Sequence, residues 1–387
     1  METEDKLWML GTAAQFDVCG ACGPQTSARR NESPYQFIHK ASVPGRRPIN
    51  LLKVLLTNVC LNDCAYCVNQ VGRDVRRSAF RPEELVRLFV DLHRRRLAQG
   101  LFLSSGIGAD ATQTMTRMLD TVAILRQSYE FKGYVHLKLL PGASLDCVEE
   151  ACMLATRVSV NMEAPTAEHL ARLSARKDLD RGILGLMRWV KRTIATDERR
   201  APAGQTTQFV VGAAGEADRD ILETTHRLYS EIGLRRAYFS AFRPVLGSRL
   251  EDMRPAPPMR EHRLYQSDWL LREYRFSLAE VELALKVDGN LPLSKDPKLL
   301  IAARQPWLFP VDVNRAAYGE LLRVPGIGPL SARRIIQVRR EHAIGTPEEL
   351  RKLGAASKRA APFVWLKDAE RTSRQFAVQA PLFSLPG

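Results

Sequence analysis

Leu51-Leu52-Lys53-Val54-Leu55-Leu56-Thr57-Asn58-Val59-Cys60 runs on through Leu61-Asn62-Asp63 to Cys64, and through Ala65-Tyr66 to Cys67. An apolar run rich in Leu and Val thus leads straight into a cysteine cluster. The run predicts a buried strand whose C-terminal end delivers three thiolates to one point. A four-iron cluster held wholly by protein takes four thiolates. Three would leave one iron open to bind and polarise another molecule. Zinc normally closes with four ligands in two separated pairs, a pattern not found around these three. Tyr66 places an aromatic beside the cluster. The alternative is three buried cysteines with no metal.

Bulk properties bound the class. The chain has 387 residues, enough for two domains, and is 45% apolar and 26% charged. Its formal net charge is +14, which favours polyanionic partners such as nucleic acid. No apolar run is long enough to cross a bilayer, so no membrane is expected. The acidic start Met1-Glu2-Thr3-Glu4-Asp5-Lys6 lacks a signal-peptide pattern. Seven cysteines, three of them clustered, argue against a disulfide framework. Together these features predict a cytoplasmic protein.

Residues 1–48 read as an N-terminal extension. Its Cys19-x-x-Cys22 reads as a loop; an auxiliary site with Cys147, Cys152 or His39 is the alternative. From Leu51 to about Ala241, strands and helices alternate. Strands are expected at Leu101–Leu103, Tyr134–Leu140, Val158–Met162, Gln208–Val211 and Ala237–Ser240. Helices are expected from Pro82, around Met115, Met118 and Val122, over Gly182–Ile194 and over Asp218–Ile232. Met115 and Met118 read as core, and Cys147 and Cys152 as buried apolar residues. The arginine runs Arg73–Arg77 and Arg94–Arg96 read as solvated faces; guiding a polyanion is a second reading for Arg73, Arg76 and Arg77. Six β–α units predict an α/β fold, a parallel sheet curled into a partial (β/α)6 barrel over 49–250. Ligands of such folds sit at the C-terminal strand ends, where the cysteines fall. Arg254-Pro255-Ala256-Pro257-Pro258 marks a boundary. A helical linker over 251–310 follows, helical across 259–286 and proline-punctuated from Pro292 to Pro310.

The second strong signal lies in 311–366. Asn314 is expected to N-cap a short helix carrying Leu321 and Leu322. Val324-Pro325-Gly326-Ile327-Gly328-Pro329 then leads into a helix over Leu330–Arg340, with Arg333, Arg334, Arg339 and Arg340. The glycines permit a tight hairpin whose N–H groups face a phosphate. A degenerate second copy, capped by Thr346 and turning at Gly354, is expected to pack on the first. A hairpin used only for protein contacts is the alternative. Residues 367–387 form a C-terminal tail.

Cys60-x3-Cys64-x-Tyr66-Cys67 resembles the signature of the radical SAM superfamily. The resemblance implies that Cys60, Cys64 and Cys67 hold a [4Fe-4S] cluster and that S-adenosyl-L-methionine is reductively cleaved to a 5′-deoxyadenosyl radical. It implies cofactor contacts at Tyr66, at Ser105 and Gly106 (where the family's acidic residue is missing), at Asn161 and Glu163, at Gly212 and Glu216, and at Phe242 within Ala241-Phe242-Arg243-Pro244. Gly326, Ile327 and Gly328, with Arg333 and Arg334, resemble the helix-hairpin-helix motif of DNA repair proteins and imply DNA backbone contact. The pairing of the two resembles the radical SAM proteins associated with DNA modification or repair. It implies a DNA-modifying or DNA-repairing enzyme, an external electron donor and a uracil-DNA-glycosylase-like partner. RNA as substrate, a non-catalytic iron–sulfur DNA-binding protein, and a sulfur-inserting enzyme like biotin synthase remain as alternatives.

Overall fold

The computed structural model describes residues 2–15, 34–41 and 48–366; Cys19 and Cys22 lie outside them. The chain divides into two compact units, Met1–Glu261 and His262–Gly387.

The first unit is built on one seven-stranded sheet in sequential order. Its strands are β1 (Ile38–Ala41), β2 (Ile49–Leu55), β3 (Gly100–Ser104), β4 (Tyr134–Lys138), β5 (Arg157–Ser159), β6 (Gln205–Val211) and β7 (Arg236–Ala241). β1 runs antiparallel to β2, and every later neighbour is parallel. A helix, α1 (Thr3–Ala14), precedes the sheet. The crossovers carry α2 (Pro82–Arg94), α3 (Ala111–Gln127), α4 (Leu145–Leu154), α5 (Ala167–Leu173), α6 (Gly185–Thr196) and α7 (Asp218–Arg227). Parallel strands in sequential order, joined by crossovers of one hand, put the connecting helices on one face and curl the sheet around the other. This is the partial barrel expected from the sequence.

Alternation along the strands sorts the two faces. Leu52, Val54, Leu101, Leu103, Val135, Leu137 and Val158 are wholly buried and belong to the helix-covered face. So do Leu85 and Phe89 of α2, and Met115 and Met118 of α3, all buried. On the concave face, Leu51 and Phe102 cluster with Ala41, with Ile49 and Tyr134 packed against them. The rest of the concave face is mostly polar, with Leu55 and Val210 as exceptions.

Residues 1–48 hold more than an extension. β1 pairs with β2 and lengthens the sheet, and its four residues are too short for a periodic signal. α5 was also not foreseen. β6 starts at Gln205, three residues before the expected strand, because Gln205-Thr206-Thr207 is polar and yet buried.

The boundary between units falls within α8 (Pro258–Arg272). The helix expected over 259–286 is two, α8 and α9 (Leu278–Glu282), separated by Arg275 at φ 57°. The Pro292–Pro310 stretch, expected to be a connection, contains α10 (Pro297–Arg304), capped by Asp296. β8 (Val311–Asp312) pairs in parallel with β9 (Val364–Trp365). Between them lie α11 (Tyr318–Arg323), α12 (Pro329–Val338), α13 (Pro347–Lys352) and α14 (Ser357–Ala360). Their core includes Leu321, Leu322, Ile327, Ile335, Ile344 and Leu350. Asn314 does not cap α11: Ala317 holds that position. The Asn314 amide instead pins the backbone of Ile344, accepting from its N–H at 2.7 Å and donating to its carbonyl at 3.1 Å. Among the described residues, no helix is long and apolar enough to cross a membrane.

Candidate functional site

The cysteine loop leaves β2 at the C-terminal rim of the half-barrel. Cys64 is buried, and Cys60 and Cys67 are half-buried. The Cys67 N–H donates to the Cys64 carbonyl at 3.0 Å, and the Asn69 N–H donates to the Cys67 sulfur at 3.4 Å. The three thiols lie close enough to act on one another. Burial first, then Cys64 and Cys60, push the Cys67 thiol up to about 12. Burial likewise raises Cys64, with Glu163 and Cys60 adding to it and the Lys177 ammonium opposing. Among the described residues no three Cys, His, Asp or Glu side chains converge on a single-ion site. A four-iron cluster places each ligating sulfur on its own iron, so it needs a wider spread than one ion does. A three-thiol set with a cation donating to one sulfur fits such a cluster.

A strap after α5 fixes the loop. The Ala65 N–H donates to the Leu173 carbonyl at 2.8 Å, and the Ala175 N–H to the Asp63 carboxylate at 3.1 Å. Arg176 donates to the Leu61 carbonyl at 2.9 Å. Lys177 ends the strap, ion-paired to Glu163 at 3.0 Å and hydrogen-bonded to Cys64. Burial alone would lower the Lys177 ammonium, but the charges of Cys64 and Glu163 carry it above the ordinary lysine value. From the other side Arg77 donates to the carbonyls of Asn58 at 2.6 Å, Asn69 at 2.9 Å and Gln70 at 2.9 Å. Arg77 is therefore an internal clamp rather than a solvated charge. Arg94, Arg95 and Arg96 are exposed. A cleft of about 550 Å³ beside the loop is lined by Asp63, Gln70, Arg73 and Arg249, among others.

The other expected contacts fall at the strand ends. Gly106 follows β3 and abuts the cysteine loop: a Cβ there would lie 2.4 Å from the Val59 carbonyl oxygen and 3.1 Å from Cys60 Cβ. Its neighbour Ser105 donates to the Gly106 carbonyl at 2.7 Å. Asn161 and Glu163, past β5, are both buried. Glu163 is a non-glycine at φ 65°, a conformation that persists only where surroundings enforce it. Here Lys177 and the Tyr66 hydroxyl both hold its carboxylate. Burial and the Glu163 charge push the Tyr66 phenol well above its ordinary value. Gly212, past β6, has φ 89°. The buried Glu216 carboxylate turns back on its own loop, accepting from the Gly212 N–H and, at 3.1 Å, from the Ala214 N–H. Phe242, past β7, is buried; its N–H donates to Val211 at 2.8 Å and its carbonyl accepts from Ala256 at 2.9 Å. Sequence reasoning missed Lys177 and the clamping role of Arg77, which reads in sequence as part of a solvated face or a polyanion guide. Neither carries a local signal, because each acts on residues distant in sequence or on backbone atoms.

In the second unit, Gly326 turns the first hairpin at φ 89° and Gly354 the second at φ 88°. The two half-motifs pack: the Ala356 N–H donates to the Gly326 carbonyl at 2.8 Å. A Cβ on Gly326 would lie 2.7 Å from the Ala356 oxygen. Ile327 is buried, and its carbonyl accepts from the Lys298 ammonium at 2.6 Å. Gly328 stands at the N-cap of α12. Arg333 and Arg334 are exposed on α12. Arg339 is instead spent on the carbonyls of Val313 at 3.1 Å and Ala316 at 2.7 Å.

The helix-hairpin-helix motif family matches residues 310–355. No curated protein matches the sequence. Among solved structures the chain is similar to HydG, a maturase of the [FeFe]-hydrogenase, with 13% identity and a TM-score of 0.45 over 56% of this chain and 48% of that one. HydG from Carboxydothermus hydrogenoformans gives 15% identity and a TM-score of 0.44 over 54% and 48%. Methylornithine synthase (PylB) gives 16% identity and a TM-score of 0.45 over 56% and 60%. The chain therefore spans about half to three-fifths of the length of these structures.

Proposed function

We propose that this protein is a radical SAM enzyme that modifies or repairs DNA. The observation that carries the reading is the gathering of Cys60, Cys64 and Cys67 at the C-terminal rim of a parallel half-barrel, beside the buried Lys177–Glu163 pair. A [4Fe-4S] cluster bound by the three cysteines would supply reductive cleavage of S-adenosyl-L-methionine to a 5′-deoxyadenosyl radical. The chain's own residues hold and shield that site. Lys177 sets a positive charge against the thiolates, and Glu163 with Tyr66 holds Lys177 in place. Arg77 and the strap keep the loop from rearranging. Ser105, Gly106, Asn161, Gly212 and Phe242 ring the strand ends as cofactor contacts, and Glu216 shapes the turn that carries Gly212.

The second unit supplies the nucleic-acid contact in this reading. The Gly326–Gly328 hairpin and the start of α12 offer backbone N–H groups to a phosphate, and Arg333 and Arg334 add charge. Such contacts position a duplex without reading its sequence. A base inside a duplex is sheltered, so the substrate is a flipped or single-stranded nucleotide. An external electron donor completes the reaction. The family resemblance adds a uracil-DNA-glycosylase-like partner, which co-purification would test.

The test is an anaerobic assay on reconstituted protein with the cofactor, dithionite and a panel of duplex and single-stranded DNAs. DNA is expected to raise 5′-deoxyadenosine formation, and Cys64→Ala to abolish it. No 5′-deoxyadenosine from protein with a full iron complement would sink the enzyme reading. Formation indifferent to every DNA would remove DNA as substrate.

A further inference from the structure

The concave face of the sheet is unusual chemically. No strand of the seven-stranded sheet contains an Asp or Glu. Register and alternation nevertheless put Lys53, His136, Lys138, Arg157 and Arg236 on that face. Contacts agree with the alternation. The His136 ring meets Phe102 edge-on at 4.6 Å between centroids, and the Lys53 ammonium lies 6.0 Å from the same ring's centroid. Arg236 lies 4.9 Å from the Tyr238 ring centroid. Gln205 reaches the opposite way, donating to the Met187 carbonyl on α6 at 3.1 Å, which leaves Thr206 facing inward.

His136 and Thr206 have buried polar atoms without a hydrogen-bond partner among the described residues. Neither ring nitrogen of His136 is hydrogen-bonded among the described residues, and the residue is 1% exposed. Thr206 is 0% exposed, and its hydroxyl is unpartnered too. Buried polar atoms without partners are rare and costly in native proteins. A packing core needs none of them, and apolar residues would fill the space better. Burial, with Arg157 and Lys138 nearby, holds the His136 imidazole neutral, so it keeps one donor and one acceptor. Glu163 acts on Lys138 and is itself paired with Lys177. Lys53 donates to the Gln15 carbonyl at 3.2 Å and Arg157 to the Ala203 carbonyl at 3.3 Å, so both keep their charge.

We propose that the concave face, deeper than the cysteine rim, binds an anionic phosphate or carboxylate group of the substrate. His136 and Thr206 hydrogen-bond it, and Lys53, Lys138, Arg157 and Arg236 supply the countercharge. The assignment of that group to a substrate rests on the reading of the barrel as the reaction chamber; the binding site itself does not. Orphaned donors surrounded by cations suit an acceptor-rich anion better than a neutral ligand.

The test uses full-length protein carrying 15N-labelled histidine. Inorganic phosphate and acetate are titrated separately at constant ionic strength, and the His136 ring resonances are followed. A saturable shift is expected with at least one anion, and the tighter of the two identifies the source as phosphate or carboxylate. Thr206→Val, which keeps the side-chain shape, is expected to weaken binding about tenfold, and Arg157→Met to weaken it further. Resonances that stay fixed with both anions, or affinities unchanged in both variants, would overturn the site. Cys64→Ala leaves this binding intact while removing 5′-deoxyadenosine formation. Anion binding without cofactor cleavage in the native protein would refute the enzyme reading alone, and cleavage without anion binding would refute this site alone.

Discussion

Glu163 concentrates the argument at the scale of single residues. It occupies a backbone conformation that non-glycine residues avoid, at φ 65°, and its buried carboxylate is paired with Lys177 at 3.0 Å. The side chains are only 6% and 10% exposed. Breaking a buried pair by deleting one partner strands the other charge and costs roughly 3–5 kcal/mol. Lys177→Met is therefore expected to lower stability by about that much, measured by urea unfolding. The double variant Lys177→Met with Glu163→Met should recover most of the loss, since no charge is left stranded. The three cysteines were legible from local spacing, because ligands of one cluster can come from one short loop. Lys177 was not, since it reaches the loop through a strap more than a hundred residues later in the chain. The same limit hid the demand on Gly106, whose small size matters only because Val59 and Cys60 pack against it.

Elements show a similar division. The repeated β–α alternation was readable, as were the two glycine hairpins. The antiparallel β1, the short α5 and the proline-flanked α10 were not, because each is too brief for periodicity to separate it from loop. The hairpin carries two expectations. Gly326→Ala forces a β-carbon to 2.7 Å from the Ala356 oxygen at a residue with φ 89°. Left-handed backbone alone costs roughly 1–2 kcal/mol, and the backbone clash adds to it. The variant should lose at least that much in the melting of this unit, and its DNA binding with it. The second concerns Lys298, which holds the Ile327 carbonyl. Burial brings its ammonium down to about 7, against the attraction of Asp296. An unfolded lysine keeps its proton to higher pH, so between about 7 and the ordinary lysine value the unfolded chain binds more protons. Stability must rise with pH across that window and level off at its lower value below about 7, where both states hold the proton. Thermal melts of the full chain at rising pH should show the second unit gaining stability between pH 7 and 9. Lys298→Met should flatten that slope.

At the scale of the whole molecule, the question is whether a basic chain with two compact units performs one reaction. A net charge of +14 would attract any polyanion, so nucleic-acid affinity alone says little about the hairpin. Salt dependence separates the two. Each phosphate neutralised on duplex DNA contributes about −0.9 to the slope of log K against log salt. Arg333 and Arg334 are the exposed cations of α12 singled out here, whereas Arg339 is held by backbone carbonyls. If both exposed arginines meet phosphate, Arg333→Ala with Arg334→Ala should reduce the slope by about 1.8. The loss should be similar for every sequence tested, because phosphate contacts carry no sequence information. Basal 5′-deoxyadenosine formation should stay the same, since neither residue belongs to the first unit. What should move is the DNA concentration needed for half-maximal stimulation, in proportion to the lost affinity. An unchanged salt slope would mean that general charge attraction, rather than the hairpin, captures the DNA. A reduced slope with unaltered stimulation would mean that the hairpin holds DNA for a purpose other than presenting it to the barrel.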